Sequence, residues 1–289
     1  MCRLFGMSGG RQRVAATFWL LGAPDSLLVQ SHREPDGTGL GTFSETGRPI
    51  VDKQPLAAYA DRAFAREARE LHSRTFIAHI RYASTGAIAP QNTHPFEQDG
   101  RLFAHNGVIG EIDRLEAELG ADTRDLVRGE TDSERFFALI TQYATAGASL
   151  GTAIAEAARW VAANLPVYAL NCILITPSEL WALRYPETHA LYVLERAAGG
   201  PSGNQHLDHR GHPRELRVHS ASLAEHPSVV VASEPMDADP GWRALESGEL
   251  LRVAADLATT TTTALTDPPA RPLTLADLNP RAAASQSKQ

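Results

Sequence analysis

The sequence is sparing with cysteine and lysine, and each scarcity excludes something. Of 289 residues only Cys2 and Cys172 are cysteines, too few for a disulfide framework, so a reducing, cytoplasmic setting is expected. The only lysines are Lys53 and Lys288, and neither follows a glycine as a phosphate-binding loop requires. No nucleotide-dependent second activity is therefore read. No basic run occurs, and a formal net charge of −7 gives no general attraction to phosphate backbones or anionic lipid. Nucleic acid and membrane partners are not expected. The longest apolar stretches, such as Tyr168 to Ile175, fall well short of the roughly 20 residues that cross a bilayer. The arginines at 3, 11 and 13 are not followed by a sustained apolar segment and a small-residue cleavage site, so no secretion signal is read. No internal repeat emerges.

What is present is ample core material: 43% hydrophobic residues against 21% charged. Layered α/β folds often reach about 200–250 residues without dividing, and one large domain is expected. Cys2–Ser8 is short, mostly apolar and closed by Gly9-Gly10, as befits a buried strand. His32–Phe43 carries Pro35, Asp36-Gly37, Gly39 and Gly41, a spacing suited to a turn entering a strand or to close backbone approach. Helical spacing of Leu56, Tyr59, Ala60, Ala63, Phe64 and Leu71 predicts an amphipathic helix within 55–73. Thr75–His79 and Arg101–Ala104 read as adjacent buried strands. Thr131-Asp132-Ser133-Glu134 reads as a capping box that puts Asp132 in a first helical turn. A second helix over Ser149–Asn164 ends before Pro166, and three strands follow as a meander over 169–176, 179–184 and 190–195. Residues 197–219 suggest a mobile surface loop, 229–233 and 248–253 two more strands, and 282–289 a disordered tail.

Chemistry concentrates at Cys2. Removal of Met1 is the expected processing ahead of so small a side chain, and Cys2 then carries a thiol and a free α-amine on one residue. With ordinary pKa values of about 8.5 for the thiol and about 7.7–8.0 for the amine, the amine can take the thiol proton near neutral pH.

Six segments in one order resemble the class II glutamine amidotransferase domain, a branch of the N-terminal-nucleophile hydrolases. They are Met1–Gly6, Asp36–Gly41, His79–Gly86, Asn92–Phe96, Ala104–Gly107 and Gly129–Glu134. Ala232-Ser233-Glu234-Pro235 and Gly241-Trp242 extend the likeness to stand-alone members, among them γ-glutamyl hydrolases of the ergothioneine and glutathione-degrading kind. The resemblance implies an α+β fold, a four-layer αββα sandwich of two antiparallel sheets, over residues 2–280, with 281–289 as the tail. It implies that Cys2 attacks a γ-glutamyl amide carbonyl, that a thioester forms, and that water frees glutamate. Asn106 and Gly107 match the oxyanion-hole pair, Arg81 the residue that grips the substrate α-carboxylate, Asp132 the one that receives the α-ammonium, and Ser84 a hydroxyl on the carboxylate. No cofactor and no metal are implied. The implied partner is a small γ-glutamyl substrate, with a separate synthetase as the alternative if the chain is a glutaminase subunit. Thr38 stands where stand-alone relatives usually carry tryptophan, which suggests an altered pocket wall.

Plainer readings exist for each residue. A lone cysteine is most often a small buried hydrophobe, Arg81 an ion-pair partner, and Asp132 a helix-terminus charge. His79, His94 and His105 invite a metal reading, but the resemblance makes them structural. His206, His209 and His212 read as solvated, and Cys172 as packing. A glutamine-binding sensor that keeps Arg81 and Asp132 without chemistry is the non-enzymatic rival.

Overall fold

In the computed structural model, residues 2–82, 86–199, 208–210, 217–219 and 221–287 are described. The first sheet holds β1 (Arg3–Ser8), β2 (Gly37–Phe43), β3 (Pro49–Gln54) and β4 (Thr75–Arg81). The second begins with β5 (Phe96–Gln98), β6 (Arg101–Ile109), β7 (Pro166–Ile175) and β8 (Leu180–Leu183). Strand β9 (Tyr192–Arg196) returns to the first sheet, and β10 (Asp208–Arg210) with β11 (Arg217–His219) forms a separate two-stranded ribbon. Then come β12 (Ser228–Ala232), β13 (Arg243–Ala244), β14 (Glu249–Val253), β15 (Thr259–Thr263) and β16 (Arg271–Pro272). The first sheet runs β13-β9-β12-β1-β4-β2-β3 and the second β15-β14-β8-β7-β6-β5. Every pairing along these paths is antiparallel; β16 adds parallel to β7.

Period-two alternation along the strands builds the layers. On β1, Leu4 turns toward the second sheet and joins Ile77, Leu102, Ala104 and Ile173 in the seam between the sheets. Its neighbours Phe5 and Met7 turn outward and pack with Phe18, Trp19, Leu27 and Phe64. On the far side, Phe103, Leu170 and Leu174 of the second sheet meet Phe136, Phe137, Ile154 and Val161. Two sheets between two outer layers are the αββα arrangement expected.

The outer layers contain α1 (Leu27–Gln30) and α2 (Arg62–Glu70) on the first sheet, and α3 (Ile112–Glu118), α4 (Ala121–Arg124), α5 (Asp132–Thr145) and α6 (Leu150–Asn164) associated with the second; α7 (Ala221–Glu225) and α8 (Pro280–Ser287) come later. The helix expected over 55–73 is confined to α2, because the Asp61 carboxylate accepts from Ala63 N and Phe64 N and so fixes its start. At α5, Thr131 Oγ1 caps Glu134 N at 3.3 Å, but the Glu134 carboxylate turns to Arg128 N and Gly129 N, so only half of the expected box forms.

Two further expectations are corrected. The meander breaks after β8: β9 crosses the seam and pairs with β12, in register Val230↔Leu194. Strand propensity locates such a segment but does not choose its partner. The tail expected at 281–289 is helical through Ser287, with Ala282 and Gln286 buried. Residues 197–219 lie largely outside the described residues, apart from the β10–β11 ribbon and the segment up to Gly199.

Candidate active site

The register Leu4↔His79 and Arg3↔Ile80 continues to bring Cys2 beside Arg81 where β1 begins and β4 ends. Parity puts Cys2, His79 and Arg81 on the seam face, and on β6 it puts Asn106 there with Leu102 and Ala104. The nucleophile candidate and Asn106 therefore meet across the seam from different sheets. The Asn106 side chain donates from Nδ2 to Cys2 O at 2.8 Å.

Cys2 is buried, with 8% of its surface exposed. Tyr82 N donates to its Sγ at 3.1 Å, and Sγ donates to Tyr82 O at 3.3 Å. Burial pushes the thiol up, and Glu34 adds to that; the Tyr82 backbone and Arg81 oppose it. A thiol raised in this way is protonated at neutral pH and needs a base to react.

Arg81 is buried and donates from Nη1 to Ala87 O at 3.1 Å. Desolvation pulls its guanidinium down, while Cys2, Asp36 and Asp132 pull it back. Ala87 is itself held: its carbonyl also accepts from Asn92 Nδ2, and its N–H donates to Glu130 Oε2. Asn92 and Glu130 are bonded to each other twice, by Nδ2 to Oε2 at 3.1 Å and by Glu130 N to Oδ1 at 2.8 Å. This clamp sets the segment that Arg81 leans on. The sequence reading did not single it out, although both residues lie in the quoted segments.

Asp132, at the first turn of α5, accepts from Ile109 N at 2.8 Å and from Ser133 N at 2.9 Å, which locks the helix start to the end of β6. His105 lies on the opposite face of β6 from Asn106. Its Nε2 donates to Ala169 O at 3.1 Å, since a carbonyl can only accept, and so Nδ1 accepts from the Ser133 hydroxyl at 2.9 Å. Burial keeps that ring's pKa below its ordinary value. Gly107 is required by packing: a Cβ there would lie 1.9 Å from Ala169 O. The glycines of β2 have the same cause, since a Cβ at Gly39 would lie 1.9 Å from His94 O and one at Gly41 2.8 Å from Pro95 Cγ.

Cys2, Arg81, Asn106, Gly107 and Asp132 all line one cavity of about 20 Å³, room for roughly one water. A larger cavity, of about 320 Å³ between α6 and residues 264–270, has Arg159 and Asp267 in its wall but no nucleophile. Ser84 lies outside the described residues. Thr38 does not form the pocket wall: it shares the outer face with Leu40, and its hydroxyl donates to Leu56 O at 2.8 Å. Cys172, fully buried with its thiol pushed up to about 12 by burial, is packing as expected. Among the described residues no group of three or more His, Cys, Asp or Glu could hold a metal ion, and no helix is long and apolar enough to cross a membrane.

Sequence reasoning did not anticipate that α8 would reach the site. Arg281 pairs with Asp36 at 3.4 Å, Asp36 N donates to Arg81 O at 3.0 Å, and Gln286 Oε1 bonds His189 Nε2 at 2.7 Å.

Comparison with known proteins places these features. A family model described as class-II glutamine amidotransferases matches residues 1–273. The chain is 29% identical over 263 residues to γ-glutamyl-hercynylcysteine sulfoxide hydrolase of Mycolicibacterium smegmatis, covering 88% of this chain and 96% of that one. It is 29% identical over 144 residues to glutamine–fructose-6-phosphate aminotransferase of Gluconobacter oxydans, covering 50% of this chain and 22% of that one. Among solved structures, glutamine phosphoribosylpyrophosphate amidotransferase of Bacillus subtilis superposes with a TM-score of 0.62 at 18% identity, over 92% of this chain and 50% of that one. A glutamine aminotransferase class-II domain protein from Silicibacter pomeroyi gives 0.60 at 17% identity, over 91% and 99%.

Proposed function

Since this chain belongs to the class-II glutamine amidotransferases, enzymes of amide hydrolysis, we propose that it cleaves a γ-glutamyl amide through a thioester on Cys2. The observation that carries this reading is the convergence of Cys2, Arg81, Asn106, Gly107 and Asp132 on one cavity. With Met1 removed, the α-amine of Cys2 accepts the proton of its own thiol, and the thiolate adds to the amide carbonyl carbon. The developing oxyanion takes hydrogen bonds from the second N–H of Asn106 Nδ2 and from the Gly107 N–H. The amine then returns the proton to the leaving nitrogen, the C–N bond breaks, and water releases glutamate from the thioester. Arg81 receives the α-carboxylate, for which a planar fork is suited, and Asp132 the α-ammonium. Ser84 is assigned to the carboxylate as well.

The donor we favour is a γ-glutamyl conjugate acted on by the chain alone. Support comes from the alignment over nearly the whole of the hydrolase relative, against about a fifth of the aminotransferase. The test compares release of glutamate from free glutamine and from γ-glutamyl thiol conjugates, with intact mass reporting the mature N-terminus. A glutamine-like diazo ketone should add to native protein and not to Cys2→Ala. Undiminished cleavage by Cys2→Ala overturns the reading; glutamine turnover that starts only when a synthetase is added favours a subunit role instead.

A further inference from the structure

Two imidazoles at the Cys2 cavity have no hydrogen-bonding role yet. His79, on the seam face of β4, and His94, just before β5, lie against each other with ring centroids 4.2 Å apart and planes tilted by 44°. Both are buried, both line the cavity, and none of their four ring nitrogens has a hydrogen-bond partner among the described residues. The Oδ1 of Asn106, on the same cavity, has none either. Burial first, and then Arg81 and His105, pull His79 down to about 3; burial and His79 hold His94 well below its ordinary value. Both rings are therefore neutral, and together they present two N–H donors and two acceptors.

Packing alone does not account for this choice of residues. His94 meets Phe96 edge-on at 4.6 Å, a contact that phenylalanine at 94 would make equally well. Two buried imidazoles without partners instead carry an uncompensated desolvation cost at each unmet group. A water molecule donates two hydrogen bonds and accepts two, and the cavity holds roughly one.

We propose that His79 and His94 hold the water that hydrolyses the Cys2 acyl intermediate, an inference that rests on the thioester reading above. The water oxygen bonds to the thioester carbonyl carbon and the C–S bond breaks. One water proton ends on the Cys2 sulfur, and the other leaves as the product carboxyl ionises. The rings are too weakly basic to take that proton at neutral pH; they hold and aim the water, with Asn106 Oδ1 as a further acceptor.

The experiment is partition of the acyl group between water and added hydroxylamine, with intact mass following the adduct on Cys2. In His94→Phe, the first-turnover burst of leaving amine should keep its native rate, hydrolysis should fall about tenfold, and the hydroxamate-to-glutamate ratio should rise by the same factor. The adduct should accumulate, and His94→Gln, which keeps a donor and an acceptor, should restore most of the hydrolysis. His79→Asn reads the same ratio should His94→Phe not fold. An unchanged ratio, or equal slowing of acylation and hydrolysis, overturns the proposal. Failure of native protein to form any adduct on Cys2 strikes down the thioester reading itself and this one with it.

Discussion

Replacing Gly107 by alanine tests how tightly the site depends on the approach of β6 to β7. The added Cβ would stand 1.9 Å from Ala169 O, 2.5 Å from Ala169 C and 2.8 Å from His105 Nε2, whereas real Cβ contacts essentially never fall under 3.0 Å. Two of those three atoms are backbone in a paired strand, so β6 must retreat by about 1 Å, the scale at which misplacement near a reacting group costs about a hundredfold in rate. Asn106 moves with it, and its 2.8 Å bond to Cys2 O is stretched or lost. Overpacking of this kind destabilises by about 1–3 kcal/mol, which in a chain of this size lowers Tm by roughly 2–5 °C. The assay is kcat for glutamate release from a γ-glutamyl donor, with a thermal melt on the same preparation. Native kcat with native Tm would refute the packing argument. A lowered Tm with native kcat would refute the link from the β6–β7 spacing to the site.

Arg81→Lys should raise KM at least tenfold with a smaller effect on kcat, because an ammonium cannot reproduce the two-pronged contact with a carboxylate; an unchanged KM would count against the assigned role. Ser133→Ala deprives the buried His105 Nδ1 of its donor and should cost about 1–3 kcal/mol in urea denaturation at pH 7. Acid should destabilise the fold through its buried histidines. Desolvation lowers His79 to about 3 and, chiefly, His189 to about 4, from 6.5. Their contribution is complete above pH 6.5 and fades as pH falls through those values. His189 alone should account for about 3 kcal/mol lost by pH 4, and denaturation of His189→Gln should show a correspondingly shallower decline.

Much of this architecture was legible because alternation and capping are local properties. The strand at Cys2–Ser8, the start of α5 at Asp132 and the end of α6 before Pro166 follow from residues within a turn or two of each feature. The glycines after Asp36 signalled close approach correctly, and the structure supplies the cause, the backbone of His94-Pro95 lying across β2. Their parity carried more than was read from it: if Gly39 and Gly41 face the seam, Thr38 faces away, and it does not wall the pocket. Choice of partner was not legible. Strand β9 has the same character whether it pairs with β8 or β12, and the contact of His79 with His94 depends on a crossing between segments 15 residues apart. The docking of α8 was hidden for a related reason, since its contacts with Asp36 and His189 are single polar pairs that leave no periodic trace.

The construction of the site across the seam has a consequence for how this enzyme fails. Cys2 stands on one plate and Asn106 on the other, and the apolar contacts between the plates are non-directional, so lateral registration rests on a few directional bonds, Asn106 to Cys2 O, Thr75 to Thr176 O and Arg243 to Glu249 among them. Heating should loosen those few bonds before it breaks the ladders within each plate. On the proposed mechanism turnover depends on this alignment, and gentle heating should silence it while the circular dichroism of both sheets is still native.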